Sequence, residues 1–306
     1  EFVEQTWARY RNLDTPQAMI DYTARWLLDH LPENPQSCLV HSDFRNGNFM
    51  LSEHGIVGVL DWELTHIGDP MRDLGWICTN SWRFGGDGPV GGFGDYADLF
   101  RGYEEESGAK VDREHVRFWE VFGSFWWAVG CLGMAQQYRE GPDRTVERPA
   151  IGRRSSECQV DCVNLLIPGA VTLIPTPSSS GNQDLPAMDE LVASVGGFLR
   201  DEVMAATEAR LNFLARVAAN SLDIVRRELA IGAQHRAQEE SRLQHLFGSE
   251  AELKSLRWRL VQELRDGDIA LENEALKIHL RQTTVNQLAI DQPSYSGFKT
   301  AVDPQN

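Results

Sequence analysis

The stretch that decides the reading is His41-Ser42-Asp43-Phe44-Arg45-Asn46-Gly47-Asn48, followed twelve residues on by Leu60-Asp61-Trp62. It has the form H-x-D-x4-N, and its second aspartate closes an apolar run. Three short apolar runs surround it: Cys38-Leu39-Val40, Phe49-Met50-Leu51 and Ile56-Val57-Gly58-Val59-Leu60. Ser52-Glu53-His54-Gly55 separates the last two as a hairpin turn would, so strands are predicted to carry 38–61. Asp69-Pro70 reads as an N-cap with proline at the first helical position, opening a helix through Met71, Leu74 and Ile77. A glycine-rich loop, 85–94, comes next. Asp112 then caps a helix over about 113–139 that is apolar on nearly every face and is predicted to be buried. Another helix is predicted over about 153–166. Upstream, residues 1 to about 31 read as helix, with Thr15-Pro16 as a cap signal.

Downstream the composition changes. Residues 175–184 are rich in Pro, Ser and Gly, and beyond them only helical periodicity remains. Leu211, Leu214, Ala218, Leu222, Val225 and Leu229 form an i, i+3/i+4 stripe that Gly232 is expected to end. Helices are predicted at about 187–204, 207–231, 235–247, 250–265 and 270–288. The expected organisation is a first domain over 1–172, a linker over 173–186, an all-α bundle over 187–295 and a tail over 296–306. The fold class is mainly α with a small β element.

Composition limits the function. The 306 residues carry 29 basic and 45 acidic side chains, a net charge of -16. That balance argues against a nucleic-acid or anionic-membrane partner. No run approaches the ~18 apolar residues of a membrane span. Five cysteines, an odd number mostly in apolar runs, predict reduced buried thiols and a cytoplasmic setting. Cys158 and Cys162 lie one helical turn apart, but no second pair completes a zinc site.

Protein kinases carry the H-x-D-x4-N spacing in their catalytic loop, with a metal-binding aspartate after it. The residue types suit phosphoryl transfer to a hydroxyl. Asp43 would hold the hydroxyl and take its proton. Asn48 and Asp61 would offer oxygen ligands to Mg²⁺ bridging the phosphates of ATP. Arg45 could place charge near the transferring group, and His41 would orient the loop.

His41-Ser-Asp43-x4-Asn48, Leu60-Asp61-Trp62-Glu63 and Gly68-Asp69-Pro70-x-x-Asp73-Leu74 resemble the aminoglycoside/choline-kinase-like phosphotransferase family. The longer run through Trp82-Arg83-Phe84-Gly85 is similar to a branch associated with acyl-CoA dehydrogenases. The resemblance implies a protein-kinase-like C-terminal lobe over about 1–170, with Mg²⁺ and ATP as cofactor and co-substrate. It also implies a small-molecule acceptor, a 4-hydroxyacyl-CoA in the best match. Asp73 is expected to brace the catalytic loop beside Asp69, and Trp82 and Arg83 to meet an anionic acceptor. The segment 187–295 resembles a small helical domain found elsewhere as a separate subunit beside such kinases.

The family pattern has an N-terminal lobe of strands with a phosphate-binding lysine. Here about forty helical residues precede His41, and Lys110, Lys254, Lys277 and Lys299 all follow the motifs. The expectation is a large lobe whose nucleotide lobe is supplied by another chain or segment. An acyl-CoA dehydrogenase-like partner and a second copy of the chain are further expected partners. Two other readings stay open: a kinase for an aminoglycoside or choline-like cation, and a silent scaffold whose helical domain binds a partner.

Overall fold

The computed structural model describes residues 1–177 and 185–303. The glycine- and serine-rich part of the predicted linker, 178–184, lies outside the described residues, as does the end of the tail, 304–306. Helix dominates. Among the described residues, four short strands form two antiparallel pairs.

The N-terminal helical segment is two helices, α1 (Phe2–Arg11) and α2 (Ala18–Asp29). The break between them is tied by the Tyr10 hydroxyl, which donates to the Thr15 carbonyl at 3.0 Å and accepts from the Gln17 amide at 2.8 Å. Strand β1 (Cys38–Val40) follows, then the hairpin β2 (Phe49–Ser52) and β3 (Gly55–Val59), then β4 (His66–Gly68). The hairpin registers Phe49 against Val59 and bulges between Met50 and Leu51. β1 pairs with β4, Val40 opposite His66. Helix α3 (Met71–Cys78) starts where Asp69 Oδ1 accepts from the Met71 amide at 3.0 Å, the cap read from the sequence. Helices α4 (Tyr96–Ser107) and α5 (Arg113–Glu140) come next, and Asp112 caps α5 through the amides of Glu114 and His115. Then come α6 (Glu147–Arg153), α7 (Ser155–Leu166), α8 (Met188–Phe198), α9 (Ala209–Phe247), α10 (Leu253–Asp266), α11 (Glu274–Asp291) and α12 (Ser296–Val302).

Contacts divide the chain into two units, Glu1–Trp7 with Tyr22–Trp127, and Ala8–Asp21 with Ala128–Asn306. In the first unit, α3 and α5 bring buried Leu74, Trp76, Phe118, Phe122 and Phe125 into the core. Ile77, Cys78 and Val90 form a cluster against Phe44 and Phe49. The buried Arg72 guanidinium lies over Phe2, Trp119 and Phe122 at 4.3 to 5.3 Å. Burial lowers its pKa to about 10. Four of the five cysteines are buried, but Cys38 is exposed at the start of β1.

In the second unit, α9 packs on α8, α10 and α11, and α7 packs on α11 and α12. Residues 128–172 thus cluster with the helices that follow, although composition grouped them with the residues before the linker. Asn286 shows why: its side chain bonds the backbone of Thr172 and Ile174. Tyr295 donates to Asp161 at 2.7 Å. Gly232 does not end a helix. α9 runs through it for 39 residues and stops at Gly248, which takes the left-handed cap conformation at φ 57°. An interior glycine costs about 1 kcal/mol, and packing around the buried Gly232 overrides that. Leu211, Val225 and Leu229 of the predicted stripe are exposed. Among the described residues, no helix is long and apolar enough to cross a membrane.

Candidate active site

All of the catalytic-loop geometry lies in the first unit. Asp73, on the first turn of α3, receives two backbone N–H groups, from His41 and Ser42, each at 2.7 Å. Ser42 sits at φ 69°, a left-handed conformation that a serine holds only when its neighbours fix it. The Asp73 carboxylate supplies that fixation. His41 is buried and uses both ring nitrogens. Its Nδ1 accepts from the Asp43 amide at 3.1 Å, so Nε2 carries the proton and donates to the Leu60 carbonyl at 2.9 Å. His41 therefore joins the loop to the segment that leads from β3 to Asp61, with no nitrogen left to move a proton.

Asp43 is held on three sides. Its Oδ1 accepts from Trp76 Nε1 at 3.0 Å and from Arg45 Nε at 2.9 Å, and its Oδ2 accepts from Asn48 Nδ2 at 2.7 Å. Oδ2 keeps a lone pair for another donor. Trp76, buried to 1% exposure, is a site residue that the sequence reading does not single out. The one signal for its role was its place three residues after Asp73, on the same helix face. Arg45 also lies over the Trp82 ring, 5.2 Å from its centroid, and Trp82 stacks on Trp76.

Asn48 spends its amide N–H groups on the Asp43 carboxylate and carbonyl. Its side-chain oxygen accepts no hydrogen bond among the described residues. Leu60 N donates to the Asn48 carbonyl at 2.8 Å, so the β2–β3 ladder returns the chain to the loop one residue before Asp61. Asp61 is exposed, takes φ 66° and ψ 62°, and its carboxylate likewise accepts nothing among the described residues. Two uncommitted hard oxygen donors fit Mg²⁺, which keeps several waters and needs few protein ligands. Among the described residues, no group of three or more His, Cys, Asp or Glu could hold a metal.

The remaining candidates turn elsewhere. Asp69 is buried and its Oδ2 accepts from Trp119 Nε1 at 2.8 Å, which makes it a helix-start brace. The Arg83 guanidinium donates to the Cys78 carbonyl at 2.7 Å and to Glu120 at 3.2 Å. Tyr96 also donates to Glu120. Burial raises the Glu120 carboxyl to about 7, against the opposing pull of Arg83. The glycine-rich loop is built rather than slack. Bridges join Gly88 to Gly92 and Val90 to Gly94, and a Cβ on Gly92, at φ +85°, would stand 2.3 Å from the Arg83 carbonyl. Asn46 Nδ2 donates to the Gly91 carbonyl at 3.3 Å, so the loop borders the catalytic segment.

Residues 1–115 match the family model described as phosphotransferase enzyme family, and residues 205–295 match a domain of unknown function, DUF6285. The chain is 37% identical over 78 residues to acyl-CoA dehydrogenase family member 10 of Mus musculus, covering 24% of this chain and 7% of that protein. It is 35% identical over 74 residues to family member 11 of the same species, 22% of this chain and 10% of that protein. The human member 11 is 43% identical over 54 residues, 17% and 7% respectively. The chain thus spans a tenth or less of these curated relatives. A crystal structure from Ralstonia eutropha, assigned as an aminoglycoside phosphotransferase, aligns with a TM-score of 0.46 at 25% identity over 54% of each chain.

Proposed function

We propose that the chain carries the catalytic lobe of an ATP-dependent phosphotransferase acting on a small-molecule hydroxyl, best a 4-hydroxyacyl-CoA. One observation carries this reading: an aspartate fixed by three donors with one carboxylate lone pair open, in a loop whose Asn48 carbonyl accepts from Leu60, the residue before Asp61. In it, Asp43 accepts the hydroxyl proton, and Asn48 and Asp61 hold Mg²⁺, which would neutralise phosphate charge when bound. Arg45 and Trp76 keep the Asp43 carboxylate aimed. Arg83 acts through Glu120 and the Gly92 loop rather than on the acceptor. The family match of residues 1–115 supports the reaction class. The names of the partial relatives favour an acyl-CoA acceptor and a dehydrogenase-like partner.

The nucleotide lobe, in this reading, is supplied by protein outside the 306 residues. The β2–β3 hairpin beside the site supports that, since Met50, Leu51, Ile56 and Val57 are each more than half exposed. Unburied apolar strand faces of that kind mark interaction surfaces. The test is an acceptor panel on the natural protein with Mg-ATP: a 4-hydroxyacyl-CoA, choline and an aminoglycoside, with phosphate ester read by ³¹P NMR. A phosphoester formed on the hydroxyacyl-CoA alone is expected. Ester on either cation reassigns the acceptor, and none on any of the three removes the proposal.

A further inference from the structure

The second unit holds a cavity of about 570 Å³ that the phosphotransferase reading does not use. Its size falls in the range of small-ligand pockets. His235 and Glu239 of α9, Arg257 of α10, and His279 and Thr283 of α11 line it, with Arg139 at the end of α5. His235 and His279 are only 2% and 3% exposed. Among the described residues, neither ring nitrogen of His235 has a hydrogen-bond partner, nor has Nδ1 of His279. Leaving a buried polar atom unpaired is unfavourable, so three at one cavity wall call for a ligand or water that pairs them.

The charges around the cavity say which kind of ligand. Two carboxylates line the cavity: Glu239 is gripped by Arg257 with two hydrogen bonds of 2.7 and 2.5 Å, and Asp291 accepts from Arg153 at 3.0 Å. Among the described residues, Arg242 reaches only the Thr283 hydroxyl, at 3.0 Å, and its Nε is unpaired. Neither Arg242 nor Arg139 forms an ion pair among the described residues. Burial lowers both histidines, His279 to about 4, so each enters as a neutral ring able to donate one N–H. In a chain of net charge -16 this is a local positive excess lined by unpaired donors.

We propose that the cavity bounded by His235, His279, Thr283 and Arg139 binds a small organic anion through a carboxylate or phosphate group. The anionic oxygens accept from the two imidazoles and the threonine hydroxyl, and Arg139 closes the electrostatics at the mouth. The site sits in the domain of unknown function and α5, and it stands whether or not the catalytic proposal does.

The experiment is a titration of the whole protein, labelled with ¹³C/¹⁵N-histidine, with inorganic phosphate, succinate and glycerol in turn. Phosphate or succinate is expected to shift the His235 and His279 ring signals saturably, while glycerol does not. Phosphate alone would identify a phosphate head, and succinate alone a carboxylate. His235→Phe replaces an unpaired polar ring with an apolar one, so it should keep or raise Tm and weaken binding at least about tenfold. Arg139→Gln, at an exposed position, should leave the fold intact and weaken binding by about threefold. No saturable shift with either anion, an equal response to glycerol, or full affinity in Arg139→Gln and His235→Phe would overturn the proposal.

Discussion

Asp73 is the residue on which the catalytic loop's shape depends. Among the described residues, its carboxylate is the only acceptor for the amides of His41 and Ser42, two buried residues, at 2.7 Å each. Asp73→Ala leaves both N–H groups without a partner, and each such loss costs about 1–3 kcal/mol. The expected destabilisation is therefore about 4 kcal/mol, with Ser42 released from φ 69°. Asp73→Asn retains one acceptor oxygen and should lose about half as much. Urea unfolding followed by tryptophan fluorescence suits the test, because eight of the nine tryptophans lie in the first 127 residues. The losses should appear as a lower midpoint at unchanged m-value. A loss under about 1 kcal/mol for Asp73→Ala, or equal losses for the two variants, would refute the bracing argument.

Trp76→Phe removes the indole N–H from Asp43 while keeping an aromatic in the core. Phosphoryl transfer should fall by about tenfold or more, with stability lowered by only about 1–2 kcal/mol, read by kinetics and unfolding on the same samples. Gly92→Ala forces a Cβ to 2.3 Å from the Arg83 carbonyl at φ +85°, so it should lower Tm by several degrees in a calorimetric scan. Glu120 is raised from its ordinary 4.5 to about 7 when folded, chiefly by burial. Its contribution is therefore whole below pH 4.5 and is lost as pH rises through about 7, and Glu120→Gln should flatten that decline in stability-versus-pH curves. His279 runs the other way: lowered from 6.5 to about 4 by burial, it contributes fully above pH 6.5 and loses this as pH falls through about 4. His279→Phe should remove that acid limb, worth up to about 3 kcal/mol.

What could be read from the sequence was local. His41, Asp43, Asn48 and Asp61 are legible because a fixed spacing and a hairpin connect them, and the hairpin and both caps appear as the residues suggest. β4 was missed because three residues, His66-Ile67-Gly68, make no run of alternation, and only pairing with β1 extends them. Trp76 was not singled out, since nothing in the helix pattern says its N–H faces a carboxylate 33 residues earlier. Arg83 could be read either as a contact for an anionic acceptor or as the partner of one of the many acids, and the sequence alone does not say that the acid is Glu120. Gly232 carries the residue type of a helix end but not the conformation, which depends on what packs around it. The cavity of His235 and His279 is assembled from helices 44 residues apart, a pairing that periodicity does not encode.

The central claim is that Asp43 takes the acceptor's proton in a reaction that moves phosphate from ATP. Its most direct test is the rate of phosphoester formation by Asp43→Asn beside the wild-type natural protein, at equal folded concentration, followed by ³¹P NMR. Asn keeps the size of the side chain but cannot take the proton, and its amide nitrogen replaces the oxygen that accepts from Asn48 Nδ2, so the rate should fall by about 10²–10⁴-fold or more. A variant that turns over at the wild-type rate would contradict the account.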